Sequence, residues 1–265
     1  MRRRKALGQH FLADRSILRK IIAVIAPRPD ELVIEIGAGK GALTFPLSER
    51  SAKVIAVEKD TTLIPLLLGQ KKDNLTILEQ DVLRLDFKDL LAGEKSFLGK
   101  TKIVGNLPYS ISTPLLFRIL ENKDLFTACV FLLQKEVAER IAARPGTKKF
   151  APLSILFQID FDVRMHFDIA PGSFIPPPRV VSTLISLTRR EKPLYAVRDE
   201  QRFRDFLHLC FAGRRKTLLN NLKRLPLRAE IGRAVLGRVG LPDDVRAERL
   251  TIAQFVQLYD LLTSG

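Results

Sequence analysis

Cysteine is scarce in this chain: the 265 residues hold only Cys129 and Cys210, both inside apolar runs. Two such residues read as buried, reduced thiols, which excludes a disulfide framework and makes the cytoplasm the expected location. Histidine is nearly as scarce. His10, His166 and His208 are scattered without metal-ligand spacing, so no metal is expected. No apolar run reaches the length of a membrane span, and no membrane partner is expected. The start, Met1-Arg-Arg-Arg-Lys5, is basic, but Gly8-Gln9-His10 and Asp14-Arg15 interrupt the chain behind it, which excludes a signal-peptide core. Internal repeats and low-complexity segments are also missing. Acid is in short supply: 29 Asp and Glu stand against 44 Lys and Arg, a formal charge of +15. That balance favours a polyanionic partner such as nucleic acid; a basic surface tuned for solubility is the plainer alternative.

What is present is apolar residue content of 46%, ample for a core, on a length that fits one large domain or one domain plus a small one. Ile17, Leu18, Ile21, Ile22 and Ile25 fall at helical spacing behind a candidate N-cap, Asp14, and Pro27 and Pro29 end that helix. From there the pattern alternates. Strands are predicted at Leu32–Ile36, Lys53–Val57, Leu75–Leu78, Ile103–Gly105 and Ala128–Leu133. Helices are predicted over 41–50, 61–69, 113–121 and 136–143. Such alternation indicates a mostly parallel, doubly wound sheet. It breaks after Arg144-Pro-Gly-Thr-Lys-Lys149. Ser154–Phe161 and Val180–Leu187 then read as two late antiparallel strands without a helix between them, separated by the proline-stiffened Pro171–Pro178. Residues 189–198 read as a linker, and 199–262 as purely helical.

Chemistry concentrates at the strand ends. Asn106-Leu107-Pro108-Tyr109 closes the run Ile103-Val104-Gly105. An Asn oxygen and a nearby backbone carbonyl can both accept from an exocyclic amino group. Pro108 brings no competing N–H, and Tyr109 offers a face on which a base can stack. Alone, the tetrapeptide could be an ordinary turn. Upstream, Glu35 precedes Gly37-Ala-Gly39-Lys-Gly41 between a strand and a helix, where glycine permits a tight turn and close approach of a ligand. The spacing differs from the dinucleotide fingerprint. Glu58 ends the second strand, where a carboxylate can take both ribose hydroxyls, and Asp81 follows the third, where it could hold an adenine amino group. Each acid taken singly could be a surface charge. Together they suit a ligand with ribose and adenine but no pyrophosphate, and S-adenosylmethionine is such a ligand.

These motifs resemble those of the ribosomal RNA adenine N6-dimethyltransferases. The residues that carry the likeness are Gly8–Leu12, Glu35–Thr44, Glu58, Asp81, Asn106–Tyr109, Pro145–Lys148, Phe174–Pro178, Arg214–Thr217 and Asn220–Leu222. They span nearly the whole chain in order. The likeness is nearest to the branch that dimethylates two adjacent adenosines in a hairpin near the 3′ end of small-subunit ribosomal RNA; the antibiotic-resistance branch, acting on large-subunit RNA, is the alternative, and a noncatalytic RNA-binding assembly factor is another. The resemblance implies a Rossmann-like class I methyltransferase fold with a small all-helical C-terminal domain. It implies a catalytic, S-adenosylmethionine-binding domain at 1–190 and an RNA- or ribosome-binding domain at 199–265. The implied partner is small-subunit ribosomal RNA or the assembling small subunit, with the enzyme acting as a monomer.

Carried over by that resemblance, His10 and Leu12 flank the cofactor, although His10 stands where many members have Asn. Gly37, with Gly39, forms the cofactor loop, Glu58 holds the ribose and Asp81 the adenine. Asn106 touches both the cofactor's methionine end and the target amine, with Leu107 and Pro108 beside it. Tyr109 and Phe174 are expected to sandwich the flipped base, though Phe174 reads equally well as core. Val181 stands where relatives often carry Asp before Ser182. Arg214, Arg215 and Lys216, with Lys148 and Lys149, are candidate phosphate contacts; any one of them could equally be a solvated surface charge. Asn220 and Asn221 adjoin the first cluster as candidate contacts to RNA edges.

Overall fold

A computed structural model of the chain describes residues 9–70, 72–223 and 229–263. The chain divides into two units. One comprises Met1–Ala138 with Asp162–Arg189, and the other Glu139–Phe161 with Arg190–Gly265.

The first unit opens with a two-residue strand, β1 (Phe11–Leu12), and helix α1 (Arg15–Ile25). Asp14 caps α1 by accepting from the backbone N–H of Ser16 and Ile17 at 2.8 and 3.2 Å, and the stripe Ile21, Ile22 and Ile25 is buried. Then come β2 (Leu32–Ile36), α2 (Thr44–Ser48), β3 (Lys53–Glu58), α3 (Ile64–Leu68), β4 (Leu75–Glu79), α4 (Phe87–Ala92), β5 (Thr101–Asn106), α5 (Ser112–Glu121), β6 (Ala128–Gln134) and α6 (Lys135–Ile141). All five residues of β2 are buried, as a central strand covered on both faces requires. After helix α7 (Pro152–Asp160), which belongs to the second unit, come β7 (Phe161–Ile169), β8 (Phe174–Ile175) and β9 (Ser182–Arg189). The large sheet runs β4-β3-β2-β5-β6-β9-β7. Strands β2 to β6 pair in parallel, and β9 runs antiparallel to β6. Strands β1 and β8 form a separate antiparallel ribbon.

The chain winds outward in one direction from β2 to β4 and in the other from β5 onward. Between β2 and β5 the winding reverses, and a crevice opens at the carboxyl ends of those strands. Gly37 follows one and Asn106 ends the other.

The two late strands expected from sequence are corrected in part. Residues 154–160 are not a strand: they belong to α7, and the strand beside β9 is β7, starting at Phe161. The reason is solvation. Leu153, Ile155, Leu156, Phe157 and Ile159 are all buried, so α7 shows no polar face to betray its period. Its start was marked by Pro152 in the first turn and by Ser154, whose hydroxyl accepts from the Ala151 N–H at 3.1 Å. Strand β7 is an edge strand with Asp162, Arg164, Met165 and Asp168 exposed, so its sequence lacks an apolar run.

The second unit is helical beyond β9, with α8 (Glu200–Cys210), α9 (Leu218–Leu222), α10 (Ala229–Arg238) and α11 (Ile252–Thr263). Aromatic rings fill its core. Phe203, Phe206 and Tyr259 lie 5.2–6.2 Å apart by centroid, and Phe150 and Phe255 lie 6.3 and 5.5 Å from Phe211. Cys129 and Cys210 are buried free thiols, and burial pushes both thiols well above their ordinary range.

Gly105 is the tightest point of the parallel sheet. A Cβ there would lie 2.4 Å from the Ile36 carbonyl oxygen, a backbone atom that cannot turn aside. Gly105→Ala is expected to lower unfolding free energy by about 1–3 kcal/mol, the usual cost of overpacking. Urea unfolding checks this, and an unchanged midpoint would mean that β2 and β5 separate freely at this point.

Candidate functional site

One pocket occupies the crevice. Among its lining residues are His10, Phe11, Gly37, Gly39, Glu58, Lys59, Asp81 and the stretch from Asn106 to Ile111. It thus gathers the ends of β2, β3, β4 and β5, and the ribbon strand β1.

The glycine loop forms its floor. Gly37 and Gly39 have φ of +73° and +58°, a region that strains any residue with a Cβ. A Cβ on Gly39 would press on the Phe11 ring at 3.2 Å. The Gly39 N–H donates to Glu58 Oε2 at 2.8 Å. The other oxygen of Glu58 accepts from the N–H groups of Lys59 and Asp60, each at 2.8 Å. Glu58 is 3% exposed, and these three donors satisfy its buried oxygens. Glu58 is also a lining residue of the pocket.

Glu35 lies beneath this loop and is 2% exposed. The hydroxyl of Thr44 donates to its Oε2 at 2.5 Å. Burial, reinforced by the charge of Glu58, pushes its carboxyl up to about 8, so Glu35 is protonated at neutral pH. Asp81 is different. Its Oδ1 accepts from the Leu83 N–H at 3.0 Å and caps the short turn Val82–Arg84. Its Oδ2 pairs with Lys59 Nζ at 2.7 Å. The Lys59 ammonium, then the Leu83 N–H, hold Asp81 below the usual carboxylate range, leaving an ionised acceptor on the pocket wall.

At the end of β5 the Asn106 Nδ2 donates to the His10 carbonyl at 2.7 Å. That bond orients the amide, since only the nitrogen end can donate to a carbonyl. Leu107 N–H is tied to the Leu132 carbonyl at 3.2 Å, and the Pro108 carbonyl accepts from Ile111 N–H at 3.0 Å. The Tyr109 hydroxyl pairs with Ser182 Oγ at 3.0 Å, and its ring stands 5.8 Å from that of His10 at 35°.

The structure brings His10, Gly37, Gly39, Glu58, Asp81 and Asn106–Tyr109 together in this pocket. Two expected residues fall outside it. Leu12 is 7% exposed and packs in the core; its neighbour Phe11 lines the pocket instead. Successive side chains of a strand point to opposite faces, and β1 is too short for its phase to be read from sequence. Phe174 pairs with Leu12 across the ribbon and is 2% exposed within the same core. It is a core ring rather than one face of a base sandwich. Sequence reasoning also missed Phe11, Lys59 and Ser182. Lys59 adjoins Glu58, but nothing local announces its partner Asp81. The Val181 carbonyl accepts from Lys135 N–H at 3.0 Å, and the structure gives its side chain no role in the site.

In the second unit the two basic segments meet. Arg214, Arg215, Lys216, Lys148 and Lys149 are exposed. The Arg214 guanidinium donates to the Lys148 carbonyl, and Lys149 is paired with Glu139. Asn220 is exposed. Asn221 is 1% exposed, and its amide donates to the carbonyls of Cys210 and Gly213 at 2.7 and 3.3 Å. It holds the basic turn in shape and does not face solvent, which corrects its place among RNA-edge contacts. Among the described residues no cluster of His, Cys, Asp and Glu could hold a metal ion, and no helix is long and apolar enough to cross a membrane.

A central parallel sheet with one antiparallel strand, a glycine loop after β2 and an acid after β3 define a Rossmann-like class I methyltransferase fold. The model of one family, ribosomal RNA adenine dimethylase, matches residues 1–264, and the chain belongs to that family. It is 46% identical to a ribosomal RNA small subunit methyltransferase A of Geobacter metallireducens, over 97% of this chain and 94% of that one. It is 41% identical to the protein of that name from Syntrophus aciditrophicus, over 98% and 94%. Among solved structures it resembles a dimethyladenosine transferase from Plasmodium falciparum, with TM-score 0.80 and 26% identity over 94% of this chain and 96% of that one. The fold of the 23S rRNA methyltransferase ErmE is also similar, with TM-score 0.71 at 24% identity, covering 95% and 99%. The chain is accordingly an enzyme, a methyltransferase.

Glu35 yields a pH prediction. Its carboxyl is raised from 4.5 when unfolded to about 8 when folded, so the folded protein holds a proton that the unfolded chain releases. Its contribution to stability is complete below the lower value and lost as pH rises through the window to the upper one. The slope should approach about 1.4 kcal/mol per pH unit. Glu35→Gln keeps an acceptor for Thr44 and should flatten the profile between about pH 5 and pH 8. Unfolding at several pH values checks this; identical wild-type and variant slopes would remove Glu35 as its source.

Proposed function

We propose that this chain transfers methyl groups from S-adenosylmethionine to N6 of two adjacent adenosines near the 3′ end of small-subunit ribosomal RNA, giving N6,N6-dimethyladenosine during subunit biogenesis. In this reading it works in the cytoplasm, as a monomer, without a metal. The observation that carries it is the oriented amide of Asn106 at the end of β5, in one pocket with the glycine loop, Glu58 and Asp81. The small-subunit enzymes to which the chain is similar support the choice of RNA.

The residues present suit this cofactor. Gly37 and Gly39 make a cradle that side chains would fill. Glu58 is a carboxylate at the end of β3, suited to ribose hydroxyls. Asp81 is an ionised acceptor, suited to an exocyclic amino group. S-adenosylmethionine supplies a methyl group already activated toward displacement. Nothing in the pocket therefore needs to generate a strong nucleophile; the residues need to align one.

The adenine N6 amine is a poor nucleophile because its lone pair is delocalised into the ring. With Asn106 Nδ2 committed to the His10 carbonyl, Oδ1 is the end of the amide left for an amine hydrogen. A second hydrogen bond to the Leu107 carbonyl would favour a pyramidal nitrogen with a freer lone pair. Tyr109 offers its ring to the flipped base. The second unit, with Arg214, Arg215, Lys216, Lys148 and Lys149, grips the RNA backbone.

The test is labelled methyl transfer to under-methylated small subunits, to their stripped RNA and to large-subunit RNA side by side. Transfer to large-subunit RNA alone would overturn the choice of substrate. In the same assay Asn106→Ala should abolish turnover while weakening cofactor binding much less, the pattern of an interaction made in the transition state. Near-normal turnover would end the proposed role of Asn106.

Replacing Arg214, Arg215 and Lys216 together by Ala should weaken RNA binding and spare cofactor affinity. Each lost phosphate contact should flatten the logarithmic salt dependence of binding by about 0.7–0.9. Binding measured across a salt series checks this; parallel wild-type and variant slopes would make the cluster a solvated surface.

A further inference from the structure

The target amine must lose its hydrogens. Each methyl transfer leaves N6 positively charged, and a second transfer to the same nitrogen requires its lone pair back. The titratable side chains on the pocket wall are His10, Glu58, Lys59, Asp81 and Tyr109. Glu58 is held by three backbone N–H groups. Lys59 and Asp81 are paired with each other, and Tyr109 is bonded to Ser182.

His10 differs from all of them. Its Nδ1 lies 2.8 Å from the Pro176 carbonyl oxygen. A carbonyl only accepts, so Nδ1 must carry the hydrogen, and in the neutral ring Nε2 is then a bare lone pair. The ring stands beside that of Tyr109, and the backbone carbonyl of the same residue holds Asn106. One residue therefore orients the amide that receives the amine through its backbone carbonyl and lines the same pocket with its ring. Among the described residues, the ring meets Tyr109 from the segment after β5 and the Pro176 carbonyl from the segment after β8. Next along the chain, Gln9 reaches Glu58 at 3.5 Å, and Lys40 lies over the Phe11 ring at 5.0 Å.

We propose that His10 is a catalytic residue of this chain, its Nε2 accepting the proton that N6 sheds on methylation. The proposal rests on the methyltransferase reading given above. The amine's lone pair forms the new N–C bond, and the sulfur keeps the electron pair of the bond that breaks. The N–H electron pair stays on N6 and restores its lone pair. The proton moves to Nε2, giving an imidazolium whose Nδ1–H still donates to Pro176, and then passes to solvent. Neutral His10 is therefore the active form, and the charged form adds a cation where positive charge is already developing.

Two measurements on the full chain test this. The first needs no turnover. Nitrogen-15 NMR of the histidine rings, with His10→Asn to assign the signal, should show His10 as the Nδ1–H tautomer with a bare Nε2. An Nε2–H tautomer would overturn the proposal. The second is single-turnover methyl transfer against pH for wild type, His10→Asn and His10→Gln. Both variants should be slower by about 10- to 100-fold, the low end for acid–base assistance, because the proton involved is already acidic. They should lose the fall in rate toward acid pH, accumulate monomethylated adenosine, and bind S-adenosylhomocysteine as the wild type does. Variants that match the wild type in rate, pH profile and product ratio would show the proton leaving directly to water and sink the proposal alone. A wild type that transfers no methyl group to any of the RNAs would instead sink the reading on which it rests.

Discussion

The close approach of β2 and β5 is the constraint on which the site depends. These strands run side by side at the point where the winding of the sheet reverses, with Ile36 opposite Gly105. The residue at 105 must lack a side chain, because the Ile36 carbonyl occupies the space that a Cβ would need. The next residue on each strand is then functional by position: Gly37 turns the loop on one, and Asn106 presents its amide on the other. A wider gap would separate the glycine loop from the amide, and no rearrangement of loops could restore both.

Around that seam, buried polar groups are satisfied one by one, and each bond adds a function to a structural role. Glu58 is held by backbone N–H groups from both sides, so the side chain that shapes the glycine loop also lines the pocket. Glu35, one layer below, solves the same problem by staying protonated. Burial raises the carboxyl of the deeper acid and the charge of Glu58 adds to it, so that acid gives up its charge. Asp81, nearer the surface, keeps its charge by pairing with Lys59. Three acids near one pocket thus adopt different solutions, set by depth and by the donors within reach.

Much of this was legible in the sequence, and the reason is positional. Strand ends in a parallel sheet converge on one edge, so Gly37, Glu58, Asp81 and Asn106 could be placed together from the alternation of strands and helices alone. What was not legible depended on side-chain direction or long-range partners. The phase of β1, which buries Leu12 and frees Phe11, is set by a ribbon with residues 174–175, far along the chain. Phe174 is aromatic beside rigid prolines, which suits a stacking ring and a core ring equally; only its burial distinguishes them. Helix α7 hid because it is buried almost all round, and β7 because it is polar. Asn221 resembled a surface amide until its neighbours closed over it.

His10 carries that point furthest. From sequence it was a departure, a titratable ring where relatives often have an amide. An Asn at that position could still donate to the Pro176 carbonyl, so the structural bond does not by itself require histidine. What the imidazole adds is a second nitrogen, which in the neutral ring is an acceptor because the first one donates to Pro176. A backbone carbonyl thereby selects the neutral tautomer of a ring that lines the pocket, as second-partner hydrogen bonds do for histidine generally. The choice of His over Asn alters the chemistry available beside Asn106 without altering the fold that holds it there.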